Sequence, residues 1–364
     1  MSLSLRFRRL IPLLLALVLT AVGVRTYLQS PPSISDPPGA TSINVYIQPK
    51  TGVQDIARTL HGAGVIRSPW AFLAMAYLQG SLKRLQSGEY EFSPGMSLLE
   101  ILRKLEDGRV VTHQVTVPEG FTAQDIAKLL ASEQLIDPDR FGALVRDPEF
   151  AARLGVEAPG LEGYLFPDTY RLTRGMGEEE IIRIMLNRFN QAVPPNLRQQ
   201  AQRVGLSPHA VVTLASLIEK EARLDSERAL ISAVFHNRLR QRMPLQSDPT
   251  AVYMMPRKEG RITPEDLQRK SPYNTYLIPG LPPGPIASPG IASLVAALHP
   301  APVDFLYFVA KNDGTHFFSR TFEQHQRAVR LYQGGGTSRE SSSVSSTKLS
   351  ATAVAGRPGR ADGS

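Results

Sequence analysis

Residues 207–223 read SPHAVVTLASLIEKEAR. Ser207 is a favoured helix N-cap, and Pro208 fits the first turn. From 210 to 218 only Thr213 and Ser216 are polar, so the predicted helix is apolar on every face and is expected to be buried on most sides. It ends abruptly in Glu219, Lys220 and Glu221. A carboxylate at the end of a buried helix is partly desolvated, which raises its pKa and lets it hold a proton for general acid chemistry near neutral pH. Residues i and i+2 lie about 200° apart around a helix, so Glu219 and Glu221 cannot make the facing carboxylate pair of an ordinary glycosidase. Glu219 follows Val212, Ala215 and Ser216 on its face, and Glu221 follows Leu214, Leu217 and Ile218. Both faces are apolar, so spacing leaves open which glutamate acts, or whether both pair with Lys220 or Arg223 in solvent.

Downstream, Asp225 and Ser226 open another helix that contains Phe235, Asn237 and Arg238. LQSDPT (245–250) and SPYNTYLIPGLPPGP (271–285) then combine amide, hydroxyl, carboxylate and aromatic side chains with a high density of proline. Such a mixture suits a sugar. Hydroxyls take polar partners, the apolar ring face stacks on tyrosine, and stiffened loops lower the ordering cost of binding. A rigid structural loop is the alternative. Upstream, LEGYLFPDTY (161–170) precedes a helix predicted from about 177 to 193.

Further upstream the chain repeats itself at an offset of 70: Gln54-Asp55-Ile56-Ala57 matches Gln124-Asp125-Ile126-Ala127. Val45 aligns with Val115, Ile47 with Val117, Leu60 with Leu130 and Ile66 with Ile136, which keeps an alternating strand and a helical spacing in both copies. Each copy reads as strand, turn, amphipathic helix and second helix. In the first, SGEYEF (87–92) adds a strand and 97–106 another helix. The order resembles the LysM fold, with a duplicated α+β scaffold as the alternative. No carboxylate in either copy ends an apolar helix like that of Glu219, so the chemistry is expected after about residue 160.

The termini differ from this body. Arg6, Arg8 and Arg9 precede LIPLLLALVLTAVGV (10–24). Fifteen residues span about 22 Å as helix against a hydrocarbon core of roughly 30 Å, and extension to Leu28 with Arg25 snorkelling nearly closes the gap. Residues 1–9 are therefore expected in the cytoplasm, with 10–28 as a transmembrane signal anchor and the rest outside. A cleaved signal peptide ending near Ala21-Val22-Gly23 is the alternative. QSPPSISDPPGATS (29–42) reads as a semi-extended linker, and the Ser/Gly/Ala-rich residues 333–364 as a disordered tail. The formal charge is +8, of which residues 1–30 carry +4 and 333–364 carry +2, leaving +2 for the body. No nucleic-acid partner is expected from so small a balance. Zero cysteines exclude disulfides and a cysteine nucleophile. Neither HExxH nor a His pair at i, i+4, neither a Walker loop nor GxSxG occurs, which argues against a zinc hydrolase, a nucleotidase and a serine hydrolase. No metal and no cofactor is expected.

EGYLFPDTY (162–170), ASLIEKEA (215–222), VFHNRL (234–239), LQSDPTAVY (245–253), SPYNTYLIPGLPPGPIASPG (271–290) and LYFVAKNDGTHFFSRTFEQH (306–325) closely resemble, in order, the motifs of the YceG-like family, the endolytic murein transglycosylases. The resemblance runs from about Ile43 to Tyr332. It implies an α+β protein with an N-terminal membrane anchor, a LysM-like module within a duplicated region 43–160, and a mixed α+β catalytic domain at 161–332. It implies one essential glutamate, which by motif match is Glu219. Asp248 is expected to position substrate, and Asn237, Gln246, Tyr273, Asn274 and Thr275 to bind sugar. The implied partners are peptidoglycan glycan strands, the membrane and peptidoglycan synthases, with the catalytic domain on the extracytoplasmic face of the bacterial plasma membrane. The implied reaction cleaves MurNAc–GlcNAc bonds within strands, leaving 1,6-anhydro-MurNAc ends and limiting strand length. A hydrolysing muramidase and a non-catalytic wall-binding scaffold are the competing readings.

Overall fold

The computed structural model describes residues 42–255 and 262–333. The expected anchor (10–28), all but the last residue of the expected linker (29–42), and residues 334–364 of the expected tail lie outside them. Among the described residues no helix is long and apolar enough to cross a membrane.

The first repeat copy folds as β1 (Ile43–Ile47), α1 (Val53–Gly62), α2 (Pro69–Leu78) and β2 (Gly88–Phe92), followed by α3 (Leu98–Glu106). β1 and β2 pair antiparallel, with Ile43 opposite Phe92 and Ile47 opposite Gly88. Val45, Ile47, Tyr90 and Phe92 thereby join Ile56, Leu60, Phe72 and Leu102 in one core. Ser68 caps α2 with Pro69 in its first turn, and Ser97 with Glu100 closes a capping box on α3, so the helix starts follow from local side-chain chemistry.

The second copy runs β3 (His113–Thr116), α4 (Ala123–Ser132), α5 (Pro138–Val145), then α6 (Pro148–Arg153) and β4 (Thr169–Leu172). β3 pairs antiparallel with β4, His113 opposite Leu172. Strand-helix-helix order thus holds in both copies, but the second copy adds the short α6 and finds its closing strand past residue 160. Val115, Ile126, Leu130 and Phe141 share one core with Leu165, Ile181, Leu217, Phe235 and Leu294. The two cores divide between Val110 and Val115, so the boundary expected at 160 falls inside a single core. The physical reason is that β3 must pair its backbone groups, and the strand that does so belongs to the C-terminal half. Between the two cores sits Glu89, 4% exposed. Its carboxylate lies 2.7 Å from His113 Nε2 and 3.2 Å from an Arg174 guanidinium nitrogen.

The remaining elements are α7 (Glu178–Ala192), α8 (Leu197–Arg203), α9 (Pro208–Glu221), α10 (Asp225–Arg240), α11 (Asp248–Val252), α12 (Pro264–Leu267), α13 (Ile291–Leu298), β5 (Tyr307–Ala310), β6 (His316–Ser319) and α14 (Phe322–Tyr332). α9 is the central element. It packs on α8, α10, α11 and α13, with residues 211–218 all buried. Its interior hydroxyls are satisfied. Thr213 donates to the His209 carbonyl at 2.9 Å, while Ser216 donates to the Thr213 carbonyl at 2.7 Å and accepts the Ile286 N–H at 3.0 Å. Gly163, at φ +83°, would place a Cβ 2.5 Å from Pro285 Cβ, so only glycine lets 161–166 lie against the proline loop. The described part is α+β, with helices around three separate two-stranded antiparallel sheets.

Candidate functional site

The end of α9 carries the chemistry. Glu219 Oε2 accepts the Gly290 N–H at 3.0 Å and lies 3.2 Å from Arg228 on the first turns of α10. Its side chain is 7% exposed. Arg228 is shared, because its Nε lies 2.9 Å from Asp225 and another nitrogen 4.0 Å from Glu119. Burial pulls the Arg228 pKa down, but the bond to Asp225 and the charge of Glu219 outweigh it, leaving it raised. The loop holding Glu119 joins β3 to α4 and is laced to the α9–α13 side. Gly120 N–H donates to the Ser288 carbonyl at 2.9 Å, Ser288 N–H returns a bond to the Phe121 carbonyl at 2.8 Å, and Lys220 Nζ donates to the Gly120 carbonyl at 3.2 Å. Burial, then the neighbouring charge of Glu219, raises the Glu119 pKa.

Glu221 points elsewhere, as two residues along a helix require. Its Oε1 accepts from Ser247 Oγ at 2.5 Å, and burial, reinforced by the charge of Asp248, raises its pKa to about 7. A third carboxyl, Glu162, accepts from Tyr253 Oη at 3.0 Å and from the Ala123 N–H at 3.0 Å. Burial raises it to about 7 as well. Folding favours the neutral form of such groups, so their stabilisation is complete below the ordinary carboxylate range and is lost as pH rises through 7. From 4.5 to about 7, at about 1.4 kcal/mol per pKa unit, each is worth on the order of 3–4 kcal/mol. The unfolding midpoint is therefore expected to fall between about pH 5 and pH 8, with a shallower fall in Glu162→Gln. An unchanged slope in that variant would show that Glu162 ionises in the fold without cost.

The residues expected to meet the sugar divide into two groups. Gln246 and Asp248 are exposed beside Glu221, and Tyr273 is half-buried. Asp248 accepts from Tyr276 Oη, and Gln246 Oε1 accepts from Arg238 at 3.1 Å. Tyr273 packs on Tyr253 with ring centroids 4.6 Å apart. Asn237, Asn274 and Thr275 are buried instead. Asn237 donates to the Val303 and Phe305 carbonyls and accepts from Arg240. Asn274 donates to the Leu267 and Arg269 carbonyls and accepts the Tyr276 N–H, and Thr275 Oγ1 accepts the Ser247 N–H. With their amide hydrogens paired to carbonyls, the two asparagines hold loops together and have no free donor for a ligand, which corrects the expected sugar contact at these positions. The structure therefore gathers Gln246, Asp248 and Thr275 on the Glu221 side and leaves Glu219 with groups the sequence did not single out: Glu119, Arg228 and Gly290. A signal for Glu119 existed. At the offset of 70 it aligns with Pro49, so a carboxylate enters this turn in one copy only. An open cleft of about 440 Å³ lined by His236, Asn237, Arg240 and Arg320 lies at the other end of α10 from Arg228. Among the described residues no cluster of His, Asp and Glu could hold a metal ion.

The chain matches the model of the YceG-like family over residues 45–331. It is 37% identical over 308 residues to the endolytic murein transglycosylase of Bacillus subtilis (strain 168), covering 80% of this chain and 85% of that protein. To the endolytic murein transglycosylase of Streptococcus pneumoniae serotype 2 (strain D39) it is 30% identical over 319 residues, covering 79% of this chain and 58% of that longer protein. A crystal structure of a yceG-like protein from Listeria monocytogenes superposes with a TM-score of 0.54 at 33% identity, covering 79% of this chain and 98% of the other. The matched span contains both repeat copies, α9 with its terminal glutamates and the β5–β6 hairpin, and the chain belongs to the YceG-like family.

Proposed function

We propose that the protein is an endolytic lytic transglycosylase of peptidoglycan, with Glu219 as its acid and base. The observation that carries this reading is the carboxyl of Glu219 at the end of the buried α9, fixed by the Gly290 N–H and by Arg228. Relatives sharing four-fifths of the chain bear the name of this activity. Glu219 would protonate the oxygen leaving from the MurNAc–GlcNAc bond. It would then take the proton of the muramoyl 6-hydroxyl as that oxygen attacks C1 and closes the 1,6-anhydro ring. The nucleophile belongs to the substrate, so no enzymic pair across the bond is required, unlike in inverting or retaining hydrolysis. Asp248, Gln246 and Tyr273 are the sugar contacts this reading favours, since they alone among the residues expected to meet the sugar are not fully buried. The first copy, strand-helix-helix-strand about its own core, is the LysM-like module of this reading. The arginine-flanked run at 10–28 supports a single-pass anchor in the plasma membrane with the catalytic part outside.

A second reading has an observation of its own. Glu221 is held neutral up to about pH 7 and sits beside Ser247 and Asp248, which also suits a general acid. Mass spectrometry of a peptidoglycan digest tests the activity. Anhydro-MurNAc ends from internal cuts are expected. Reducing ends carrying solvent oxygen would identify a hydrolysing muramidase, and intact strands retained on the protein a non-catalytic scaffold.

A further inference from the structure

We propose that Glu119, from the loop of the second repeat copy, is a second carboxylate of the reaction centre, holding negative charge against the sugar cation that forms as the glycosidic bond breaks. The proposal rests on the reading of Glu219 as acid and base.

Two shared neighbours bring the carboxyls together. Gly290 gives its N–H to Glu219 at 3.0 Å, and the Glu119 carboxyl lies so close over its Cα that an added Cβ would come 1.8 Å from Oε1. Arg228 lies 3.2 Å from Glu219 and 4.0 Å from Glu119. Glu119 is the member that opens to solvent, its side chain 48% exposed against 7% for Glu219. A glycan strand can therefore reach it.

The loop is fixed before substrate arrives, by the paired bonds to Ser288, the Lys220 ammonium on the Gly120 carbonyl, and Glu162 on the first N–H of α4. The first copy supplies an internal control. Lys50, at φ +65°, occupies the place of Gly120, at φ +75°, so the same turn forms there with Pro49 where the second copy has Glu119. The fold needs the turn and not the carboxylate.

The chemistry has a use for such a charge. As Glu219 gives its proton to the leaving oxygen, the electron pair of the C1–O bond passes to that oxygen, and C1 with the ring oxygen shares the positive charge until O6 attacks. A carboxylate fixed beside that position stabilises the charge without reorganising. Glu119 gains and loses no proton in the cycle, and the proton of the 6-hydroxyl returns to Glu219.

The test uses the full chain on peptidoglycan with Glu119→Gln, Glu119→Asp and Glu219→Gln side by side, reading kcat, KM and the unfolding midpoint. Glu119→Gln is expected to lower kcat about 10- to 100-fold, with KM changed less than about threefold and the midpoint unmoved. Glu119→Asp keeps the charge and is expected to retain more activity than the glutamine variant. Wild-type kcat in Glu119→Gln, equal losses in both Glu119 variants, or a collapsed midpoint in Glu119→Gln would each overturn the proposal, the last two by making Glu119 a packing residue. Activity surviving in Glu219→Gln would instead sink the reading of Glu219, whatever Glu119 does.

Discussion

Glu219→Gln is expected to lower the release of anhydro-muramoyl ends by on the order of 10² to 10⁴ while leaving the protein folded and able to bind glycan. The amide keeps the shape of the carboxyl and can still accept the Gly290 N–H. It has no acidic proton to give to the leaving oxygen and no oxygen basic enough to take one back. One group supplies both halves of the proton transfer, so the loss belongs towards the upper end of that range. Stability should change little, because Arg228 keeps its bond to Asp225 at 2.9 Å and its neighbour Glu119. Glu221→Gln is the paired control. Glu221 is already neutral below about pH 7, and glutamine resembles that state, so folding and substantial activity are expected to persist. If Glu221→Gln were the dead variant and Glu219→Gln the active one, the acid would lie on the Ser247–Asp248 side of the helix. Retention of anhydro products by both would exclude a single-glutamate mechanism at this helix end.

The largest expected effect on stability is at Arg238. The residue is 7% exposed, and its guanidinium donates to the Leu306 carbonyl at 2.7 Å and to the Pro244 and Leu245 carbonyls at 3.0 Å each. It also reaches Gln246 Oε1 and lies 5.1 Å from the centroid of the Tyr307 ring. One side chain thus ties α10 to the β5–β6 hairpin and to the loop that positions Gln246 and Asp248. Arg238→Met would keep the apolar stem and orphan the carbonyls. Each buried acceptor left without a partner costs about 1–3 kcal/mol, so a loss of about 3 kcal/mol or more is expected. For a domain of this size that is a midpoint lower by roughly 6–12 °C in a calorimetric scan. Arg238→Lys should recover only part, since an ammonium cannot reproduce the planar fork. A change within about 0.5 kcal/mol for Arg238→Met would show that water replaces the fork at no cost.

Much of the fold was legible because it is local. Ser207 and Pro208 start α9, the unbroken apolar run buries it, and Glu219-Lys220-Glu221 closes it, as hydrogen-bond capping and solvation of charges dictate over a few residues. The repeat at an offset of 70 predicted β1 with α1 and β3 with α4 through the same short-range periodicities. The domain boundary was not legible. β3 alternates like β1, but whether it pairs with a strand about 45 residues away, as Val45 does with Tyr90, or about 55, as Val115 does with Tyr170, is settled by which partner buries more surface, and nothing in the strand itself records that. The polar residues of the proline-rich segments were read by type, and type does not distinguish an asparagine facing a ligand from one facing two carbonyls. Asn237 and Asn274 meet carbonyls because the chain segments that cross them, 303–305 and 267–269, carry backbone acceptors with no strand to satisfy them.

The central helix, the two related βαα units and two glutamates at 219 and 221 that face different ways were thus readable from the sequence, which left their burial open. What each member faces comes from packing between distant segments. Glu221 meets Ser247, while Glu219 meets Gly290, Arg228 and, from a loop 100 residues earlier in the chain, the neighbourhood of Glu119. Helix geometry fixes directions over one turn, whereas the partners found along those directions come from packing between distant segments, and the energies that choose them are distributed over the whole core.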